Sequence, residues 1–226
     1  MKTKIIILSL FAFLFGNQFF AQDRTTVNAN SQEISDNLDL RAVASIFGDS
    51  DNLDDFERRL NDPKTQISNL DLNNDNQVDY LRVIESVEYN THLIIVQAVL
   101  ERDVFHDVAT IEVERDNRNQ VQVQVVGDVN MYGHNYIYEP VYVHSPIIFL
   151  SFWDYNYNPY HSTWYWGYYP SYYYVWNPYP IYRYRRNIGI CINQNYQYNY
   201  VNLRNSQRAV AMYGTRRSNG YEKQHP

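Results

Sequence analysis

The stretch Ala109-Thr-Ile111-Glu-Val113-Glu-Arg-Asp-Asn117-Arg-Asn119-Gln-Val121-Gln-Val123-Gln-Val125 alternates apolar and polar residues on both sides of a short polar break. A period of two places Ile111, Val113, Val121, Val123 and Val125 on one face of a pleated strand pair and Thr, Glu and Gln on the other. Asn117-Arg-Asn119-Gln has turn chemistry, so the segment reads as an antiparallel hairpin with one wet face. The apolar face needs a covering layer.

The sequence upstream supplies that layer. Leu40, Val43, Ala44 and Phe47 recur at helical spacing, with Asp36 and Asp39 near the start and Gly48 as a stop. A second helix begins near Asp51: Asp54 and Asp55 complement its amino-terminal dipole, Leu53, Phe56 and Leu60 face inward, and Pro63 ends it. Two further strands, 78–87 and 92–100, are joined by a turn over 88–91. The expected fold is therefore α+β, with two N-terminal helices packed on a small antiparallel sheet of about four strands. Its core is expected from Leu81, Val83, the apolar positions of the 109–125 hairpin and the helical stripes. An aromatic-rich, mostly extended or irregular segment follows.

Charge divides the chain. Residues 22–130 hold 22 acids and 9 bases, whereas 131–226 hold 3 acids and 8 bases. The expected organisation is a signal peptide at 1–21, a disordered linker at 22–34, an α+β module at 35–130, a Tyr/Trp/Pro/Asn-rich segment at 131–200 and a basic polar tail at 201–226. The signal reading rests on Met1-Lys-Thr-Lys4 followed by the apolar run 5–15, with small Ala21 before the cut. That run is short for a membrane span and is followed by polar Asn17 and Gln18. Export to the periplasm, envelope or exterior is the expectation. The single Cys191 cannot form a disulfide within the chain and reads as a small apolar residue.

Between the second helix and the sheet lies Asp71-Leu-Asn73-Asn-Asp75-Asn-Gln77-Val-Asp79, with oxygen ligands at alternate positions. Calcium takes roughly 6 to 8 oxygens, and loops of this kind supply them from positions 1, 3, 5 and 9 plus a carbonyl at 7. Asp71, Asn73, Asp75 and Asp79 would give side-chain oxygens and Gln77 its carbonyl, with Val78 packed inward. The spacing resembles the Asp-x-Asn-x-Asp-x-x-x-Asp loops of integrin-type propeller repeats, and its first half resembles EF-hand and dockerin loops. It departs from the EF-hand at position 6, where Asn76 replaces Gly, at position 12, where Arg82 replaces Glu, and in its strand-like downstream flank. Those departures imply weak calcium affinity and a structural clip rather than a sensor. An Asn/Asp-rich turn that binds nothing is the alternative.

From 132 to 200 the chain becomes dense in rings, most of all in Trp164-Tyr-Trp166-Gly-Tyr-Tyr169-Pro170 and Tyr172-Tyr173-Tyr-Val-Trp176-Asn-Pro178. Interspersed Pro, Asn and Gly argue for extended pieces and turns, and 146–153 reads as a buried strand. Trp164, Trp166, Tyr169, Tyr173 and Trp176, with Arg183, Arg185 and Arg186, form the expected binding surface, since rings stack on sugars and guanidinium groups pair anions. Cell-wall glycan, anionic lipid or an envelope protein are the candidate partners. Export and the acidic first half argue against nucleic acid. Packing of the rings over the sheet is the competing use of the same residues.

No catalytic signature stands out. The six histidines, at 92, 106, 134, 144, 161 and 225, lack short metal-ligand spacing. Glu85, Glu88 and Glu101 lie in strand-like stretches where solvated charge is normal, so a hydrolase is the lesser alternative. The segments Phe56-Glu-Arg-Arg-Leu60-Asn-Asp-Pro63, Leu70-Asp-Leu-Asn-Asn-Asp75, Val78-Asp-Tyr-Leu-Arg-Val83, Val108-Ala-Thr-Ile-Glu-Val113 and Trp166-Gly-Tyr-Tyr-Pro170 together resemble uncharacterised exported proteins of Bacteroidota. That resemblance implies location rather than activity. Such proteins often carry Gly where Asn76 stands.

Overall fold

The structure, a computed structural model, describes residues 36–220. The expected signal peptide at 1–21, the expected linker at 22–34 and residue 35 lie outside the described residues, as do 221–226. Two N-terminal helices, α1 (Leu40–Gly48) and α2 (Leu53–Leu60), precede an antiparallel meander of β1 (Leu81–Glu88), β2 (Thr91–Glu101), β3 (Val104–Arg115) and β4 (Val121–Gly127). The fold is mixed α+β, but the sheet has six strands rather than four. After the short turn α3 (Val129–Tyr132), β5 (Ile137–Val141) joins β4, and β6 (Gln197–Val201) joins β5. Between them run α4 (Phe149–Phe152) and α5 (Ile181–Cys191), and α6 (Gln207–Arg216) follows β6.

Both N-terminal helices start as their sequence dictates. The Asp39 carboxylate accepts from the Arg41 N–H, and the Asn52 side chain accepts from the Asp55 N–H, satisfying orphan donors. Phe47 and Phe56 meet edge to face at 5.5 Å, locking the helices together over the sheet. Leu81, Val83, Ile94, Val96, Ile111, Val113, Val123 and Val125 fill the face beneath. Gly48 does more than stop α1: a Cβ there would lie 2.2 Å from the Tyr142 ring, whose hydroxyl donates to the Ala44 carbonyl at 3.0 Å.

The second face of the sheet is not wet along β2. Ala209 and Met212 of α6 pack on Leu93 and Ile95, and Arg204 pairs with the buried Glu112. The helix forms because Ser206 caps it, its hydroxyl accepting from the Ala209 N–H at 3.1 Å. Two other expectations are corrected. Residues 149–152 form a helical turn, not a strand: Ile148, Phe149 and Phe152 turn inward at one-turn spacing while Leu150 is 80% exposed. Helix α5 also rises inside the aromatic segment, with Tyr184 and Ile188 buried at i and i+4. Pro180 stands just before it, where its missing N–H costs nothing.

The free edge of β1 is covered by residues 160–162. The Glu85 N–H donates to the Tyr160 carbonyl at 2.8 Å, and the Ser162 N–H to the Val83 carbonyl at 2.9 Å. Two buried carboxylates hold this strap. Glu57 accepts from the Tyr80 hydroxyl (2.9 Å), the Val83 N–H (2.9 Å), the Ser162 hydroxyl (2.7 Å) and the Tyr160 hydroxyl (3.2 Å). Glu85 accepts from the Tyr157 hydroxyl (2.6 Å) and the Tyr160 N–H (2.9 Å), and lies 2.7 Å from His92 Nδ1. Covering an edge strand removes a row of unpaired backbone groups that would otherwise template aggregation.

Candidate functional site

Loop 71–79 is folded by its own side chains. Asp71 accepts from the Asp75 N–H (3.1 Å) through one oxygen and from the Asn76 N–H (3.0 Å) through the other. Asn73 Oδ1 also receives the Asp75 N–H at 3.1 Å, and Asp75 receives the Gln77 N–H at 2.8 Å. Asn74 and Asn76 take φ values of 59° and 61°, the left-handed region that Asn tolerates better than most residues. The Asn73 amide donates to the Leu100 carbonyl at 2.9 Å and so ties the loop to the end of β2.

Asp79 sits at the inner end of the loop, 6% exposed, and accepts from the Leu72 N–H at 2.7 Å. Burial pushes its carboxyl up to about 8, the Leu72 N–H partly opposes this, and the charges of Asp71 and Asp75 raise it further. A cation among these oxygens would relieve both the burial and the repulsion. The donor set consists of oxygens alone, as a hard divalent ion such as calcium requires. Among the described residues no three His, Cys, Asp or Glu side chains converge on a metal position. Coordination would therefore draw on the Asn73 amide and the Gln77 carbonyl as well as carboxylates.

The tertiary fold sets the aromatic segment directly against this loop. A cleft of about 480 Å³ is lined both by Asp75, Gln77 and Asp79 of the loop and by Trp166, Tyr169 and Tyr173 of the aromatic segment. Its floor is Tyr80, the residue after Asp79, whose ring lies 5.2 Å from Tyr169 and 5.0 Å from Tyr173. The Tyr80 hydroxyl donates to Glu57, so the same buried carboxylate that holds the 160–162 strap fixes the floor of the cleft. Three backbone-anchored bonds join wall to loop: Val78 N–H to the Trp176 carbonyl (2.9 Å), the Tyr173 hydroxyl to the Val78 carbonyl (3.3 Å) and the Asn177 amide to the Asn76 carbonyl (2.8 Å).

The rings of the expected surface divide into three groups. Trp166, Tyr169 and Tyr173 line the cleft. Trp164 is half-buried beside Tyr168, ring centroids 5.4 Å apart, and lies outside it. Trp176 belongs to the interior instead of the surface: it is 7% exposed, and its indole N–H donates to the Ser68 carbonyl. An indole with a buried partner is a packing element, because exposing it would forfeit both the apolar burial and the bond.

The arginines sit elsewhere, on α5. Arg183 lies over the Tyr179 ring at 4.0 Å, Arg185 makes two 2.9 Å bonds to Asp36, and Arg186 is exposed. None lines the cleft. A second recess, about 510 Å³, lies by α5, but its Arg41 and Arg185 are already paired with Asp39 and Asp36. Sequence spacing marks neither Tyr80 nor Asn177, and the one signal for Tyr80 is its place immediately after the last of the alternating oxygen-bearing residues of the loop.

Compared with protein-family models, curated proteins and solved structures, the chain matches none. No described helix is long and apolar enough to cross a membrane.

Proposed function

We propose that this chain is a non-catalytic exported module of the cell envelope or exterior, in which loop 71–79 holds calcium as a structural clip and the adjoining cleft makes contact with a partner. The observation that carries this reading is the shared cleft: Asp75, Gln77 and Asp79 line one cavity together with Trp166, Tyr169 and Tyr173. The buried Asp79, with its carboxyl pushed up in the company of two other acids, supports a cation in the loop. Export is inferred from the charged and apolar amino-terminal run and from the resemblance to exported Bacteroidota proteins. Weak affinity follows from Asn76 in the position that favours Gly and from Arg82 where a bidentate Glu would stand.

Hydrolysis is less well supported. Glu57 and Glu85, the two buried acids that hold the strap, are shut off from solvent and engaged by several donors each. A buried, fully bonded carboxylate serves as a structural anchor and has no path to a substrate. A metal-free structural role is the second reading, favoured by the loop's satisfaction of its own N–H groups. Terbium luminescence with calcium competition separates the two. Saturable terbium emission, displaced by calcium and lost in Asp75→Ala, supports the clip, and its absence from the intact protein sinks it.

A further inference from the structure

We infer that the cleft between loop 71–79 and the turn at Trp166 binds an uncharged glycan chain. This deepens the preceding reading and rests on the cleft being the contact region. A sugar ring is amphipathic, with a face of C–H groups and a rim of hydroxyls, and it needs a flat apolar surface beside paired donors and acceptors. The cleft offers both. Trp166 stands at the tip of a two-residue turn whose flanking Tyr165 and Tyr168 exchange N–H···O bonds of 3.2 and 2.9 Å and stack at 5.1 Å. Gly167, at φ 74°, permits that turn. Trp166 is 39% exposed.

In the same lining, Tyr169 and Tyr173 are clamped on Tyr80, so little side-chain freedom remains to be lost when a ligand arrives. Asp75 and Gln77 are exposed at the rim and supply carboxylate acceptors and an amide that both donates and accepts, suited to adjacent hydroxyls. Charge chooses among ligand classes. No Lys, Arg or His lines the cleft, and a divalent ion held by Asp71, Asp75 and Asp79 would still leave the loop with one net negative charge, so a phosphate or carboxylate ligand meets no excess positive charge there. The other exposed rings of this segment include Tyr174 in the cleft lining and Tyr168 and Tyr172 close by in sequence, which carry hydroxyls, rather than the Phe and Leu of a lipid-inserting face. Several exposed rings near one cleft suit a chain of sugars better than a single one.

The test is affinity electrophoresis of the mature chain, with calcium in excess, through native gels containing soluble galactomannan, xyloglucan or mixed-linkage β-glucan, beside sedimentation with phosphatidylglycerol vesicles. Retardation by at least one polysaccharide is expected, weakened about tenfold by Trp166→Ala. Trp166→Phe should keep most of it, and Tyr89→Ala, on the far β1–β2 turn, should keep all. Trp166 is at an exposed turn tip, and an unchanged melting temperature in Trp166→Ala verifies the fold. Absence of retardation in all three gels overturns the glycan assignment. Vesicle binding that Trp166→Ala abolishes would, in that case, leave the cleft standing as the contact region. Retardation or sedimentation that Trp166→Ala leaves unchanged overturns both.

Discussion

The side-chain amide of Asn177 donates to the backbone carbonyl of Asn76 at 2.8 Å, joining two residues a hundred positions apart in sequence. Asn76 is one of the two left-handed residues of the acidic loop, and Asn177 follows the buried Trp176. Loop and aromatic wall are thereby one mechanical unit, and whatever orders the loop bears on the cleft.

Calcium should raise the melting temperature. For a dissociation constant of about 0.1 mM, roughly 1 mM calcium adds about 1.4 kcal/mol, or about 3–6 °C for a chain of this size. Differential scanning calorimetry of the intact protein and of Asp75→Ala checks this. A shift shared by both proteins would place the ion elsewhere.

Replacing Asn177 by Ala removes the bond to Asn76 and should cost about 1 kcal/mol. If loop and wall act as one unit, calcium affinity also falls severalfold, although Asn177 is not a ligand. Terbium titration of the variant reads this directly, and an unaltered affinity would show that the loop is indifferent to the wall.

Glu57→Ala should be the most damaging single change in the core. It leaves the Tyr80, Ser162 and Tyr160 hydroxyls and the Val83 N–H without their acceptor in an interior where Glu57 is 1% exposed. The expected loss is about 3–5 kcal/mol in urea unfolding. A loss below roughly 1 kcal/mol would mean that the strap is not held by this carboxylate.

Limited proteolysis of the folded protein should spare 155–179 despite its lack of regular structure. Backbone and side chains there are bonded to β1, to the loop and to Ser68. Early cleavage mapped by mass spectrometry to this stretch would contradict the packing.

Acid should stabilise one buried site. Burial pushes the Asp107 carboxyl up to about 6, despite bonds from Gln97 (2.6 Å) and the Ser218 N–H (3.0 Å), with Asp128 adding repulsion. The unfolded carboxyl titrates near 3.9, so between about 4 and 6 the folded state holds the extra proton. Its contribution is full below about 4 and is lost as pH rises through about 6. Asp107→Asn stays neutral throughout and should flatten that part of the stability profile, read as urea midpoints of the two proteins across this range.

Alternating residues in 109–125 and the helical stripes of 40–60 determined their own secondary structure, because period and capping are local. Strand β2 illustrates the boundary of that logic: the core-facing Ile94 and Val96 fit the expected covered face, but Leu93 and Ile95 needed a second layer that lies more than a hundred residues on, in α6. Helix α5 was hidden because rings crowd the sequence around it, and its apolar spacing of Tyr184 and Ile188 emerges only once one knows which rings are buried. Strands β5 and β6 carry little burial pattern of their own and exist because β4 offers an open edge.

The sequence by itself determined the chemistry of the loop, since alternate oxygens from Asp71 to Asp79 are a property of spacing. It also marked the aromatic segment as the other unusual part of the chain. Only the tertiary structure decided that these two line one cleft, that Trp166 belongs to it while Trp176 is interior, and that the arginines of α5 lie apart. The reason is physical. A ring stabilises the protein equally well in a core or on a ligand, and which it does depends on neighbours brought together from distant parts of the chain.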